Sequence, residues 1–186
     1  MLPPVRRFSG ERAAHLSRYS AEIHRIHKRE GRAVILRPYA KEDLPQILAL
    51  FRETVHAVNA ADYTPRQLEA WAPSELDVKK WEASLAAHYA LLAWEKEKLL
   101  GFGDIDESGY LDRLYVAADS LRRGIGRALS EALEEYARAK GARRLSVYAS
   151  ITAKPFFEKM GYRALRSQEA ERRGVLLTNF YMEKNL

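Results

Sequence analysis

Two hydrophobic periods alternate along this chain, and the switches between them mark out its elements. Val34-Ile-Leu-Arg-Pro38 is a short apolar run closed by proline, which predicts a strand. From about Lys41 to about Ala57, Leu44, Ile47, Leu48, Phe51 and Val55 recur at the spacing of one helix face. Tyr63-Thr-Pro-Arg-Gln67 opens a second helix. Thr64 is its N-cap, Pro65 suits the first helical position, and Thr64 with Gln67 spells a capping box. A third helical stretch covers Glu75–Ala87, and His88–Glu95 with Leu99–Asp106 reads as a hairpin across Lys96-Glu97-Lys98. Tyr110–Ala117 is a strand that runs through a basic turn into a helix over Gly124–Lys140, which buries Ile125, Leu129, Ala132, Leu133 and Tyr136. Arg144–Ala149 is a strand, Ala153–Met160 a short helix, and Tyr162–Leu165 with Val175–Glu183 a closing pair of strands.

At 186 residues, 47% hydrophobic and 30% charged, the chain suits one well-cored globular domain. It has no cysteine, which removes disulfides and a thiolate nucleophile. No apolar run approaches a membrane span and no signal-peptide core follows the N-terminus, so a cytoplasmic enzyme with no membrane partner is expected. Residues 1–33 hold eight Lys or Arg against three acids, which places five of the six net positive charges in a basic leader. Residues 34–186 are close to neutral, so nucleic acid is not expected as a partner. Leu16, Tyr19, Ile23 and Ile26 in the leader share a helical spacing. Two readings stay open: a helix docked on the body or on the second subunit of a homodimer, and a mobile tail. His15, His24 and His27 lie there without acidic or cysteine partners, and no metal is expected.

Candidate chemistry concentrates in Val116-Ala-Ala-Asp-Ser-Leu-Arg-Arg-Gly-Ile-Gly-Arg-Ala-Leu129. A helix that starts just after such a turn offers unpaired amides and a partial positive charge to an anion. Gly124 and Gly126 allow close approach to the main chain, and Arg122, Arg123 and Arg127 add charge. The pattern reads as a pyrophosphate cradle. Leu129 stands where a dinucleotide fingerprint needs a third small residue, and no Gly-Lys-Ser/Thr follows for a Walker loop.

The segment resembles the acetyl-CoA loop of the GNAT N-acetyltransferase superfamily, Gln/Arg-x-x-Gly-x-Gly/Ala. With Gly124 and Gly126 on the small positions, Leu121 replaces the usual Gln or Arg; the shifted frame Arg123-x-x-Gly126-x-Ala128 also matches. Leu111-Asp-Arg-Leu-Tyr-Val116 resembles the fourth strand of that superfamily. Ala153-Lys-Pro-Phe-Phe-Glu-Lys-Met-Gly-Tyr162 resembles its A-x-x-x-Y-x-x-x-G-F junction, and Thr178-Asn-Phe-Tyr-Met-Glu-Lys184 its closing strand. Glu53-Thr-Val-His56, Asp62-Tyr-Thr64 and Ala70-Trp-Ala-Pro73 are similar to a YafP-like bacterial branch.

The resemblance implies a single α/β GNAT domain over 34–186, with a mixed, mostly antiparallel central sheet flanked by helices. Its fourth and fifth strands splay, and the pantetheine arm of acetyl-CoA lies in the gap beside Leu114, Tyr115 and Val116. The pyrophosphate then sits on amides from about Arg122 to Arg127, including Arg123, Gly124, Ile125 and Gly126. Ser150 takes the place of a CoA-contacting Asn, and a free N–H at a bulge near Val116 polarises the thioester carbonyl.

The implied reaction moves an acetyl group from acetyl-CoA to an amine by direct attack in a ternary complex. An ammonium near pKa ~10 must lose a proton first, whereas a thiolate near ~8.5 leaves readily, so the base matters more than the acid. At the two usual positions this chain carries Phe157 for the tyrosine acid and Tyr110 for the strand-four glutamate. Asp112 shares strand parity with Tyr110 and can act through water, or simply pair with Arg113. His56, on one helix face with Arg52 and Asn59, is a candidate base or acceptor ligand, or a helix-end histidine bound to local carbonyls. Tyr63 and Tyr110 are candidates for acceptor binding; Trp71 is read as packing, and Tyr148 and Tyr181 as further proton donors. The expected acceptor is a small-molecule amine, with protein amines as an alternative class. A CoA-binding regulator without turnover is the rival reading of the same fold, and a leader that anchors nucleic acid or an acidic partner is a third.

Overall fold

The computed structural model describes the backbone of residues 24–29 and 32–186, and side chains from residue 33 onward. The expected strand, three helices and hairpin appear in order: β2 (Arg32–Pro38), α1 (Leu44–Val58), α2 (Pro65–Trp71), α3 (Val78–Ala87), β3 (Tyr89–Glu95) and β4 (Lys98–Ile105). They are followed by β5 (Tyr110–Val116), α4 (Ile125–Ala139), β6 (Arg144–Ser150), α5 (Lys154–Lys159), β7 (Arg163–Arg172) and β8 (Val175–Asn185). The capping box forms as read, with Gln67 N–H donating to the Thr64 hydroxyl and Thr64 N–H to the Gln67 side chain.

A further strand, β1 (His24–Arg29), pairs antiparallel with β2. The helical reading of the leader is therefore corrected over these residues, and the rest of that helix lies outside the described residues. An edge strand takes its order from backbone pairing on one side, so the spacing of Ile23 and Ile26 did not reveal it. Among the described residues eight strands form one sheet in the order β1-β2-β3-β4-β5-β6-β8-β7, antiparallel except between β5 and β6.

Both faces of the sheet are covered, which explains why β3 and β4 are apolar almost throughout rather than alternating. One face carries α4, which inserts Ile125, Leu129, Leu133 and Tyr136 over Leu91, Ala93, Ile105 and Leu111. The other carries α1, α2 and α3, with Ile47, Phe51, Val55, Leu68 and Leu85 over Leu92 and Phe102. Under α4, β4 uses glycine for close approach: a Cβ on Gly101 would lie 2.7 Å from the Tyr115 carbonyl, and one on Gly103 2.9 Å from that of Arg113. The closing hairpin is longer than expected because β7 is exposed along most of its length and shows no alternation. Arg173 and Gly174 turn it with φ of 52° and 73°, the paired positive values of a tight hairpin.

Candidate active site

Between β5 and β6 only two residue pairs hold, Tyr110 with Ser146 and Leu111 with Val147. Past them the strands diverge, and the gap is a cleft of about 510 Å³. The Arg113 and Tyr115 carbonyls face β4, being the atoms that a Cβ on Gly103 or Gly101 would strike. Peptide groups alternate along a strand, so Leu114 and Val116 turn theirs toward the cleft, where no strand meets them. The Thr54 hydroxyl reaches the Val116 carbonyl from α1 at 3.4 Å.

At the upper end of β5 the chain enters the basic loop. Arg122 is held at φ 60° and Gly124, the N-cap of α4, at φ 82°. No side chain caps α4, and its first internal bond runs from Ala128 N–H to the Gly124 carbonyl at 3.0 Å. The amides of Ile125, Gly126 and Arg127 therefore have no acceptor within the helix. Gly124 at the left-handed N-cap favours the frame that starts at Leu121. A Cβ on Gly126 would point between Val116 and Phe156, two walls of the cleft.

Of the expected site residues, Leu114, Tyr115, Val116, Arg122, Gly124, Ile125, Gly126, Arg127, Ser150 and Asp112 line this cleft. Ser150 also accepts the Ala153 N–H at the head of α5 at 3.0 Å. Phe157 is buried in the wall and brings no proton donor. Trp71, read as packing, meets Tyr63 edge-on and lines the cleft as well. Tyr148 lines it too, while the Tyr181 hydroxyl donates to Glu183 at 2.6 Å.

Four expectations need correction. The Arg123 guanidinium is bound by Glu95 of β3 and lies outside the cleft lining. His56 Nε2 lies 2.8 Å from the Ala72 carbonyl at the end of α2 and 3.8 Å from Glu69, outside the cleft, so it is a helix-end histidine satisfied by the carbonyl of a neighbouring helix. Tyr63 is buried; its hydroxyl donates to the Thr178 carbonyl at 2.6 Å and accepts the Ile151 N–H at 2.9 Å, which ties α2 to the far strands. The bulge lies at Asp112 rather than near Val116: Ile105 pairs with Leu111 and Asp104 with Arg113, leaving Asp112 as the extra residue. Tyr110 stands just behind the wall, and its hydroxyl donates to Asp112 at 3.3 Å. Burial first, and then the Asp112 charge, push that hydroxyl above its usual range, so it stays protonated.

Asp112 is also gripped by Arg113, at 2.6 and 3.1 Å. Arg113 in turn lies over the Trp81 ring and 3.5 Å from Asp104. Asp104 is fully buried and 2.6 Å from His88 Nδ1. Sequence reasoning passed over His88 and Asp104. The available signal was a lone acid inside an apolar strand, since such a charge must be partnered. Ser120, a buried polar residue on the cleft wall, was missed for lack of any pattern, and Asn59, named only for sharing a helix face with His56, lines the wall as well.

Residues 59–185 match the Acetyltransferase (GNAT) domain family. The chain belongs to the GNAT acetyltransferases. It is 37% identical over 147 residues to the uncharacterized N-acetyltransferase YafP of Escherichia coli K12, across 79% of this chain and 93% of that relative. A GCN5-related N-acetyltransferase structure from Rhodopseudomonas palustris superposes with a TM-score of 0.79 at 37% identity, over 81% of this chain and 94% of that one. The Thermoplasma acidophilum PaiA N-acetyltransferase, solved in complex with coenzyme A, shares the fold at 21% identity, with a TM-score of 0.68 over 82% of this chain and 99% of that one. As a member of this family the protein is an acyltransferase with acetyl-CoA as co-substrate. Among the described residues no helix is long and apolar enough to cross a membrane.

Proposed function

We propose that this GNAT protein transfers the acetyl group of acetyl-CoA to the amine of a small molecule, with both substrates bound together in the β5–β6 cleft. The observation that carries this reading is one continuous cleft with two different ends. Unpaired amides and Arg122 and Arg127 stand at the loop end, and away from them the same cleft is lined by the Asp112 carboxylate and by the aromatic rings of Trp71 and Tyr148. The first end suits phosphates, and the second suits a cation carried on an organic body. The aromatic rings that line the cleft suit a small organic amine better than a protein tail.

In this reading the amides of Ile125, Gly126 and Arg127, with the Arg122 and Arg127 side chains, hold the pyrophosphate. The cleft-facing peptide groups of Leu114 and Val116 pair with the pantetheine arm, and Tyr115, Ser150 and Phe156 form the walls. The bound thioester supplies an activated acyl carbon. Asp112 attracts the acceptor ammonium and takes its proton through water, and the freed amine attacks directly, because the chain has no cysteine to carry the acetyl group. Phe157 offers no acid, so sulfur leaves as a thiolate, which its modest basicity allows.

Initial rates with a panel of small amines, read as free CoA thiol, test this. Intersecting double-reciprocal lines are expected for a ternary complex. Parallel lines would contradict direct attack, and absence of turnover with every amine would favour the CoA-binding regulator.

A further inference from the structure

Behind Asp112 lies a second group of titratable side chains that acetyl transfer as described does not use. His88 stands between α3 and β3, with its side chain 19% exposed, and its Nδ1 meets Asp104 Oδ2 at 2.6 Å. One polar atom each of His88, Asp104 and Asp112 lies within 4.8 Å of the other two, a span short enough for a single water to bridge. Arg113, between Asp104 and Asp112 at 3.5 and 2.6 Å, already supplies the positive charge that a cation would bring there. The cluster is thus built to handle a proton rather than to hold an ion. The bulge connects it to the cleft: the extra residue on β5 is Asp112 itself, while its neighbour Arg113 points back to Asp104.

We propose that His88, oriented by Asp104, is the proton relay behind Asp112, receiving the proton that Asp112 takes from the acceptor ammonium and releasing it to solvent. The inference rests on the amine-acetylation reading of the cleft. An N–H bond of the ammonium breaks and its electron pair stays on nitrogen, while the proton passes to Asp112 and then to His88 as imidazolium. The neutral amine bonds to the acyl carbon and the C–S bond breaks with its pair on sulfur. The second N–H proton goes to that thiolate, and one proton leaves the protein from His88. His88 acts through Asp112 and is a positioning residue. The groups facing it are Asp104 on β4, Asp106 in the following turn, and Asp112 and Arg113 on β5. The hydrogen bond to Asp104 raises the imidazole above its ordinary value of 6.5, against the opposing effect of burial. The relay therefore opens as pH rises through that raised value, when the imidazole is neutral and able to accept.

The test has two arms. NMR follows the His88 imidazole titration in the full-length protein saturated with acetyl-CoA, with His88→Gln assigning its resonance. In the exposed-site variant Asp112→Asn the His88 midpoint is expected to fall by about half a pH unit or more, because a neighbouring carboxylate is lost. In the second arm, an amine that the wild type turns over is assayed across pH. His88→Gln should lower kcat about tenfold or more, leave KM for acetyl-CoA unchanged, and abolish the acid limb at the His88 midpoint. A midpoint identical in Asp112→Asn, or an acid limb intact in His88→Gln, would overturn the relay. Coupling in the first arm with no amine turned over would instead count against the acetylation reading alone.

Discussion

Replacing Gly126 by aspartate separates what the phosphate loop does for folding from what it does for binding. Gly126 is the second residue of α4, and a Cβ there would sit 3.5 Å from Val116 and 3.6 Å from Phe156, ordinary contact distances. A carboxylate in a first helical turn is typically stabilising by about 0.3–1 kcal/mol. At about 2–4 °C per kcal/mol for a domain of this size, the Tm of the free protein should hold or rise by up to about 4 °C. Binding responds in the opposite direction. Two unit charges about 5 Å apart at an effective dielectric of about 20 repel by about 3 kcal/mol, more than a hundredfold in Kd. Gly126→Ala supplies the same Cβ without the charge and should bind within about tenfold of wild type. Calorimetric titration of acetyl-CoA into the three proteins, with their melting curves, reads both effects. An aspartate variant that binds like wild type would refute the placement of the pyrophosphate at this helix end, and a large loss of Tm would refute the contact reading at Gly126.

Three further outcomes follow from the packing. Gly101→Ala, whose Cβ would meet the Tyr115 carbonyl at 2.7 Å, should lower stability by about 1–3 kcal/mol in a urea titration, as overpacking does. Tyr63→Phe strands the Thr178 carbonyl and the Ile151 N–H, so stability should fall by about 1–3 kcal/mol while the Kd for acetyl-CoA holds; a selective loss of acceptor affinity would restore Tyr63 to the acceptor pocket. Burial raises the Asp43 carboxyl, but Arg37 at 2.6 and 2.7 Å and the Ala40 N–H outweigh it and hold the group below its ordinary 3.8. Its stabilisation is therefore present above that value and lost as pH falls through the lower folded one, so the stability gap between wild type and Asp43→Asn should close in acid and be widest near neutrality.

The elements that place the cleft were legible because each obeys a local rule. The α4 stripe of Ile125, Leu129 and Leu133 follows helical period, and Thr64-Pro-Arg-Gln67 is a complete start signal. Gly124 and Gly126 mark a loop where backbone, rather than side chains, faces the cleft. Residues whose partners are distant in sequence were not legible. Tyr63 and Ile151 are 88 residues apart, and His56 is satisfied by a carbonyl 16 residues on. A histidine or tyrosine carries the same letter whether it faces a substrate or a neighbouring carbonyl. The displaced bulge is a register effect between β4 and β5, and single-strand patterns carry no register. β1 and the outer half of β7 escaped because edge strands are specified by pairing more than by burial.

The most direct check is the melting temperature of the full-length protein with and without acetyl-CoA. At a hundredfold excess over Kd, ligand that binds only the folded state adds about 2.7 kcal/mol, or roughly 5–10 °C for a domain of this size. A shift of that order, absent in Gly126→Asp, is the predicted result. An unshifted wild type would contradict the assignment of the β5–β6 cleft to acetyl-CoA.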